Sequence, residues 1–520
     1  MKFLSETTPV VFSFLFAYTL ISGSIRCVIK EWIEPKTVAV VGASRDPKKL
    51  GALVFKNLLQ TGYAGRLIPV NPAADEVMGH EAYSRVSKIP GKVDLAVIVV
   101  PAAAVAEVIR DLGKKKVALA VIISAGFKEV GEEGIKMEAD LVKLARKVGV
   151  RFIGPNCLGF MNPLIGLNAT FSSTLPRPGT VSFISQSGAM GVATLDWATE
   201  SRLGFRAFVS IGNNADVDEI ELLEYFGQDP KTKVILLYLE SFTNGRKFVE
   251  VASRITPLKP VVVVKAGRTY KSLQAIQTHT GSLAGSAEIA DQALKQAGVL
   301  VARTSEELFD YALSLSLAPR LKTPSVGIVT NAGGPGVLAV DELRHTKLIA
   351  PELHGTTVRN LRKFIPPAGS THNPIDVLGD APASRFLRAA ETTLRDQNVG
   401  GLIAVVTPQT TTDVDAIATG LGVLRRKTTK PIVTTLMGGD HVEFGRGILH
   451  ENGMPEFATP ERAVAAMNAL RWGASKTRVL KQPLEGKQKL PHKFTRPGAQ
   501  QLHPLDVHDL LKPYGFKIVP

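Results

Sequence analysis

His279 stands in a run of small and hydroxylated residues: Thr278, Thr280, Gly281, Ser282, Ala284 and Gly285. An imidazole works as a nucleophile or an acid–base group near neutral pH. A lone histidine is more often structural than reactive. The glycines argue for reaction, because they free the backbone and let a bulky anion approach. Glu240 is the candidate carboxylate partner. It follows the apolar run at 234–239, at the carboxyl end of an expected strand, one strand before the histidine. A helix cap or a surface carboxylate is the competing reading of Glu240. Two stretches, Ser185-Gln186-Ser187-Gly188-Ala189 and Thr330-Asn331-Ala332-Gly333-Gly334-Pro335-Gly336, each join an apolar run to a helical pattern. Ser187-Gly188 and Gly333-Gly334 would then lie at helix N-termini. Such ends carry about half a positive charge and suit a phosphate. For the first stretch the plain alternative is a tight turn with a good N-cap.

The elements that carry these residues alternate between strand and helix. Residues 260–264 read as a buried parallel strand ahead of the histidine. Ser286 reads as an N-cap, with Glu288 in the first turn of a helix through Ala297. Toward the N-terminus, strands are expected at 37–41, 66–70, 94–100, 118–124 and 151–153, with helices at 50–61 and 102–113. This pattern predicts a doubly wound α/β unit, whose ligands bind at the carboxyl ends of the strands. Those ends are Gly42-Ala43-Ser44, Asn71-Pro72, Val100-Pro101 and Ser124-Ala125-Gly126. A second α/β unit is expected from about Gly179. A third is expected from about Ser325, with a helix starting near Val337. A dinucleotide fingerprint wants G-x-G-x-x-G, but here only Gly42 comes early and Gly51 much later, which disfavours a nicotinamide cofactor.

The formal net charge of +15 reads either as a solvated basic surface or as a preference for anionic small molecules such as nucleotides or phosphates. No Lys/Arg block or aromatic-interleaved basic patch argues for nucleic acid. Cys27 and Cys157 are the only cysteines, too few for a disulfide framework, and they fit a reducing compartment. Residues 9–23 form an apolar run suited to a signal-peptide core or a marginal anchor rather than a full span. We read residues 1–30 as an extension upstream of the true start, so membrane association is not expected. Residues 476–500 read as a linker, and the stretch from 501 begins a short helix and strand.

Taken together, these strings resemble the NDP-forming acyl-CoA synthetases, which include ADP-forming acetyl-CoA synthetase and, more distantly, succinyl-CoA synthetase. The resemblance covers about residues 32–475. It rests on VAVVGAS (38–44), VNP (70–72), SAGFKEVGEEG (124–134), GPNCLG (154–159), SQSGA (185–189), SIGN (210–213), LYLES (237–241), HTGSLAGS (279–286), TNAGGPG (330–336) and NPIDV (373–377), in that order. It implies a Rossmann-like CoA-binding domain (31–158) followed by two flavodoxin-like, succinyl-CoA-synthetase-like domains (159–318 and 319–475).

The implied reaction is reversible: acyl-CoA, ADP and phosphate give acid, CoA and ATP. His279 matches the family's phosphate-carrying histidine, and Glu240 matches the carboxylate that holds its tautomer. An imidazole is also a fair leaving group once phosphorylated. Ser187, Gly188, Gly333 and Gly334 would flank the phosphate. CoA would lie over Gly42, Ala43, Ser44, Asn71, Pro101, Ser124, Ala125 and Gly126, with Lys48 or Lys49 meeting a CoA phosphate. No metal site is implied within the chain. Residues 501–520 resemble the first helix and strand of the family's ATP-grasp half, so ATP, ADP and Mg2+ would be handled by an ATP-grasp partner subunit or domain. An oligomer and a cytoplasmic location are expected. The competing reading is a non-catalytic CoA- or acyl-CoA-binding module, such as the ligase-like part of some protein acetyltransferases.

Overall fold

The computed structural model describes residues 32–269, 271–272 and 287–473. The first unit comprises β1 (Thr37–Val41), α1 (Leu50–Gln60), β2 (Arg66–Val70), β3 (Leu95–Ile98), α2 (Ala102–Lys115), β4 (Leu119–Ile122), α3 (Glu132–Val148) and β5 (Arg151–Ile153). Its sheet is parallel throughout, in the order β2-β1-β3-β4-β5.

A hairpin of β6 (Gly159–Asn162) and β7 (Leu167–Thr170) opens the second unit. The rest comprises β8 (Pro178–Ser185), α4 (Gly188–Glu200), β9 (Phe205–Ser210), α5 (Glu219–Gln228), β10 (Val234–Leu239), α6 (Gly245–Ile255), β11 (Val261–Lys265), α7 (Ala287–Gln296), β12 (Leu300–Ala302) and α8 (Ser305–Leu317). The order is β12-β11-β10-β8-β9-β6-β7, and β6 runs antiparallel to both of its neighbours.

The third unit comprises β13 (Val326–Thr330), α9 (Gly333–Leu343), α10 (Gly355–Leu361), β14 (Ile375–Asp376), α11 (Ala383–Leu394), β15 (Gly401–Val406), α12 (Val414–Lys427), β16 (Ile432–Leu436), α13 (Asp440–Glu451), β17 (Glu456–Phe457) and α14 (Pro460–Ala469). Its parallel sheet runs β14-β13-β15-β16-β17.

Leaving out the β6–β7 hairpin, all three sheets have one topology, in which the first strand lies between the second and the third. The chain reverses its winding direction at that first strand, and ligands of open α/β sheets bind outside its carboxyl end. The three first strands are β1, β8 and β13. The Gly42, Ser187 and Gly333 segments follow them directly. Strands covered on both faces read as unbroken apolar runs. Accordingly Val261–Lys265 and Gly401–Val406 are buried at every position.

Two details depart from the sequence expectations. The β6–β7 hairpin was not foreseen. Its strands are four residues each, too short for a periodic signal, and the turn is set by Asn162, whose side chain accepts from Leu164 N at 3.1 Å. Helix α9 also begins at Gly333 rather than near Val337. Pro335 falls in its first turn, where a missing N–H costs nothing.

The units share packing. Arg151 reaches from β5 to Asp216 Oδ2 (2.8 Å) and Glu221 Oε1 (2.8 Å) of the second unit. The residues ahead of β1 also lie on that unit: Trp32 stacks on Phe160 at 5.4 Å, Asn162 Nδ2 donates to Ile33 O at 2.7 Å, and the buried Arg206 binds Glu34 at 2.8 Å. Within the second unit Trp197 stacks on Phe309 at 4.4 Å, and Arg462 of the third unit grips Asp310 of the second with two bonds of 2.8 and 2.7 Å. Among the described residues no helix is long and apolar enough to cross a membrane.

Candidate functional site

The carboxyl ends of β1, β3 and β4 meet those of β8, β9 and β10 across one cleft of about 800 Å³. From the first unit its wall takes Gly42, Pro101, Ser124 and Ala125; from the second it takes Ser187, Gly188 and Glu240. Seven of the residues singled out in the sequence thus line one space, although up to 198 positions separate them.

Each is placed for a local reason. Gly42 has φ +93°, and a Cβ there would lie 2.4 Å from Val99 O, so a side chain is doubly excluded. Gly51 lets α1 start directly under this loop, since its Cβ would lie 2.0 Å from Gly42 O. The N-cap of α1 is Lys49, which is extended and makes no side-chain cap bond. The first amides of α1 therefore open onto the cleft, where Lys49, Leu50 and Gly51 are all part of the wall. Of the two lysines Lys48 and Lys49, Lys49 lies on the cleft wall. These features fit a CoA phosphate: a helix N-terminus, a lysine, and backbone too close for side chains.

Asn71, Ala43, Ser44 and Gly126 lie outside the wall and support it. Asn71 Nδ2 donates to Ala43 O at 2.8 Å, its Oδ1 accepts from Ala73 N at 2.8 Å, and Ser44 Oγ accepts from Asp46 N at 3.1 Å. Gly126, at φ +105°, donates its N–H to Glu129 Oε1 at 2.6 Å.

The SAGFKEVGEEG string is explained by a buried network. Asn213 Nδ2 donates to Glu129 (2.7 Å) and Glu138 (2.8 Å), and Lys128 Nζ donates to Asn213 O. Burial pushes the Glu138 carboxyl up, with Asn213 opposing. Burial also pushes Glu129 up, but Asn213 and the Gly126 and Phe127 amides outweigh it and leave that carboxyl below its ordinary value.

At the second wall Ser187 caps α4, its Oγ accepting from Met190 N at 3.3 Å, and Ser185 Oγ donates to Ser187 O at 2.8 Å. Glu240 follows β10. Its N–H is accepted by Gln186 Oε1, and its carbonyl accepts from Lys265 Nζ at 2.7 Å. Burial pushes the Tyr238 hydroxyl up, and Glu240 adds to the shift.

Gly333 and Gly334 open α9 at the switch point of the third sheet, and neither lies on the cleft wall. A Cβ on Gly333 would meet Asp376 Oδ2 at 3.4 Å, so the Asp376 carboxylate already neighbours that helix end. Asn331, behind it, is buried and donates to Gln409 at 2.6 Å and Thr412 at 3.0 Å. His279 and the HTGSLAGS segment lie outside the described residues.

Reading the sequence missed part of the wall: Asn156, Cys157 and Leu158 from GPNCLG, Gly212 and Asn213 from SIGN, Gln186, and the apolar Phe171 and Val192. The strings were visible, but only the fold shows which of their residues face inward. Burial pushes the Cys157 thiol up to about 12, which makes it an inert lining group. Among the described residues no cluster of histidine, cysteine or carboxylate side chains could hold a metal.

Comparison with known proteins agrees with this geometry. Three family models match in series: a CoA binding domain over residues 36–163, a succinyl-CoA ligase like flavodoxin domain over 178–315, and a ligase-CoA domain over 326–480. The chain is 44% identical over 436 residues to acetate–CoA ligase [ADP-forming] I of Archaeoglobus fulgidus, covering 84% of this chain and 62% of that one. It is 43% identical over 443 residues to the alpha subunit of acetate–CoA ligase [ADP-forming] II of Pyrococcus furiosus, covering 84% of this chain and 96% of that subunit. Among solved structures, acetyl-coenzyme A synthetase 1 of Ca. Korarchaeum cryptofilum, in complex with phosphate and ADP, superposes with a TM-score of 0.82 at 38% identity, covering 86% of this chain and 97% of that one. The chain therefore belongs to the NDP-forming acyl-CoA synthetase family, as a member of the ADP-forming acetate–CoA ligase alpha type.

Proposed function

We propose that this chain is the CoA- and histidine-bearing part of an acid–CoA ligase, interconverting acyl-CoA, ADP and phosphate with acid, CoA and ATP. One observation carries the reading: a single cleft joins Gly42, Lys49, Pro101, Ser124 and Ala125 to Ser187, Gly188 and Glu240. CoA rests on the first wall, with a phosphate at Lys49 and the α1 amides. This puts the thioester between the walls.

Inorganic phosphate at the Ser187-Gly188 helix end attacks the thioester carbon. The C–O bond forms, the C–S bond breaks, and the CoA thiolate leaves. An imidazole nitrogen of His279 then attacks the phosphorus of the acyl phosphate. The N–P bond forms and the carboxylate leaves with the electrons of the P–O bond. Glu240 accepts a hydrogen bond from the other ring nitrogen, which fixes the tautomer and steadies the cation that develops. Gly333 and Gly334 form the helix end that receives the phosphoryl group on the nucleotide side. Mg2+ and the nucleotide belong to an ATP-grasp partner. The alpha-subunit relative, matched over 96% of its length, supports a separate partner chain. We take 31–158, 159–318 and 319–475 as the working domains of a cytoplasmic oligomer.

The test runs the reaction in reverse of ligation, without nucleotide. Acetyl-CoA and radiolabelled phosphate should place an acid-labile, base-stable label on the protein, and His279→Asn should abolish it. Absence of label with several acyl-CoAs, in protein that still binds CoA, would favour the binding-module reading instead.

A further inference from the structure

Both backbone groups of Glu240 are held by side chains from the strand ends on either side of it. Gln186, after β8, accepts the Glu240 N–H and, at 3.0 Å, the Ser241 N–H on its Oε1; its Nε2 donates to Ser241 O at 3.0 Å. Lys265, the last residue of β11, donates from Nζ to the carbonyls of Glu240 and Ala266. Strands β8 and β11 flank β10 in the sheet, so the grip comes from two directions.

Lys265 is only 5% exposed. An ammonium ion is costly to bury unless charge and hydrogen bonds compensate it. Asp291, the other carboxylate near it, is already engaged by Arg268 at 2.6 Å. Burial pushes the Lys265 ammonium below the usual lysine value and Arg268 adds to that, while Glu240 and Asp291 oppose, Glu240 more strongly.

We propose that Lys265 is a positioning residue for phosphoryl transfer: it fixes the Glu240 main chain and supplies a positive charge beside the Glu240 carboxylate. The proposal rests on the role assigned to Glu240 above. A carboxylate that must accept an imidazole N–H has to stay ionised, and a nearby cation keeps it so to lower pH. Among the described residues, the charged and titratable groups around it include Lys265 on β11, Arg268 and Asp291 beyond that lysine, Tyr238 on β10 itself, and Lys49 on the opposite wall. A lysine that merely ties off two strand-end carbonyls would give the same bonds but no influence on the pH response.

The experiment measures the rate of protein labelling by acetyl-CoA and radiolabelled phosphate from pH 5.5 to 9. It compares the native chain with Lys265→Met, Lys265→Gln and Glu240→Gln, with CoA affinity as the check on folding. Lys265→Met removes donor and charge; Lys265→Gln removes the charge but keeps an N–H donor, one atom shorter in reach. Both should slow labelling at least tenfold near pH 6 and move the acid limb up by about one pH unit. Glu240→Gln should slow labelling across the range, leaving only the limb set by protonation of the attacking imidazole. An unmoved limb in Lys265→Gln that still binds CoA overturns the proposal, whether or not Lys265→Met folds. Native labelling in Glu240→Gln overturns the underlying role of Glu240 instead.

Discussion

At the scale of single residues, not every group on the cleft wall is suited to react. Cys157 lies on the wall yet is buried, and its thiol donates to Ile122 O at 3.3 Å. With its pKa pushed up to about 12, roughly one thiol in 10⁴ is ionised at pH 8. Iodoacetamide at that pH should leave Cys157 unmodified for hours in folded protein, as read by peptide mass spectrometry, and alkylate it quickly once guanidinium unfolds the chain. The contrast between Cys157 and Glu240 also marks what sequence alone could reveal. Glu240 was legible because an apolar run of six stops at a carboxylate. Gln186 lies inside the SQSGA string and Lys265 directly follows the apolar run at 260–264, but their function depends on which strands are neighbours, and strand order is not written in local spacing.

At the scale of elements, strand–loop–helix turns were the legible part, because buried parallel strands leave long apolar runs and their helices begin with small or hydroxylated residues. The short β6–β7 hairpin left no such trace. The start of α9 was placed late because three glycines in its first turn read as loop, whereas the helix tolerates them there. The glycine under the first loop gives a sharp test. Gly51→Ala must push a Cβ against the Gly42 carbonyl, so α1 has to shift. A loss of about 1–3 kcal/mol in stability is expected, together with at least a tenfold weaker CoA affinity, because the α1 amides move with the helix. Gly245→Ala, where nothing lies within 4 Å of the added carbon, should leave both unchanged or slightly raise stability. Thermal melts and CoA titration of the two variants check the pair.

At the scale of the whole molecule, three units of one topology present the ends of their first strands in two places. Two meet at the shared cleft, and the third presents its helix end at Gly333 elsewhere. A division of labour follows. The protein alone should convert acyl-CoA and phosphate to phosphoprotein, free acid and CoA but form no ATP from ADP. ATP should appear, at the expense of the protein label, when the ATP-grasp subunit of an alpha-type relative is added. A luciferase assay of the mixture, alongside release of the label, checks this. ATP formed by the chain alone would refute it.

Trp32, Ile33 and Glu34 precede the first strand of the first unit, yet their partners Phe160, Asn162 and Arg206 belong to the second. The boundary between these units in sequence is therefore not the boundary in space. A fragment started at the first strand would leave Arg206 with an unanswered positive charge at its Glu34 side and uncover the face of Phe160. A recombinant piece of the second unit would lack the same three residues. Anyone dissecting this enzyme into portable modules should carry the leading strap with the second unit, not the first, or keep the two units as one piece.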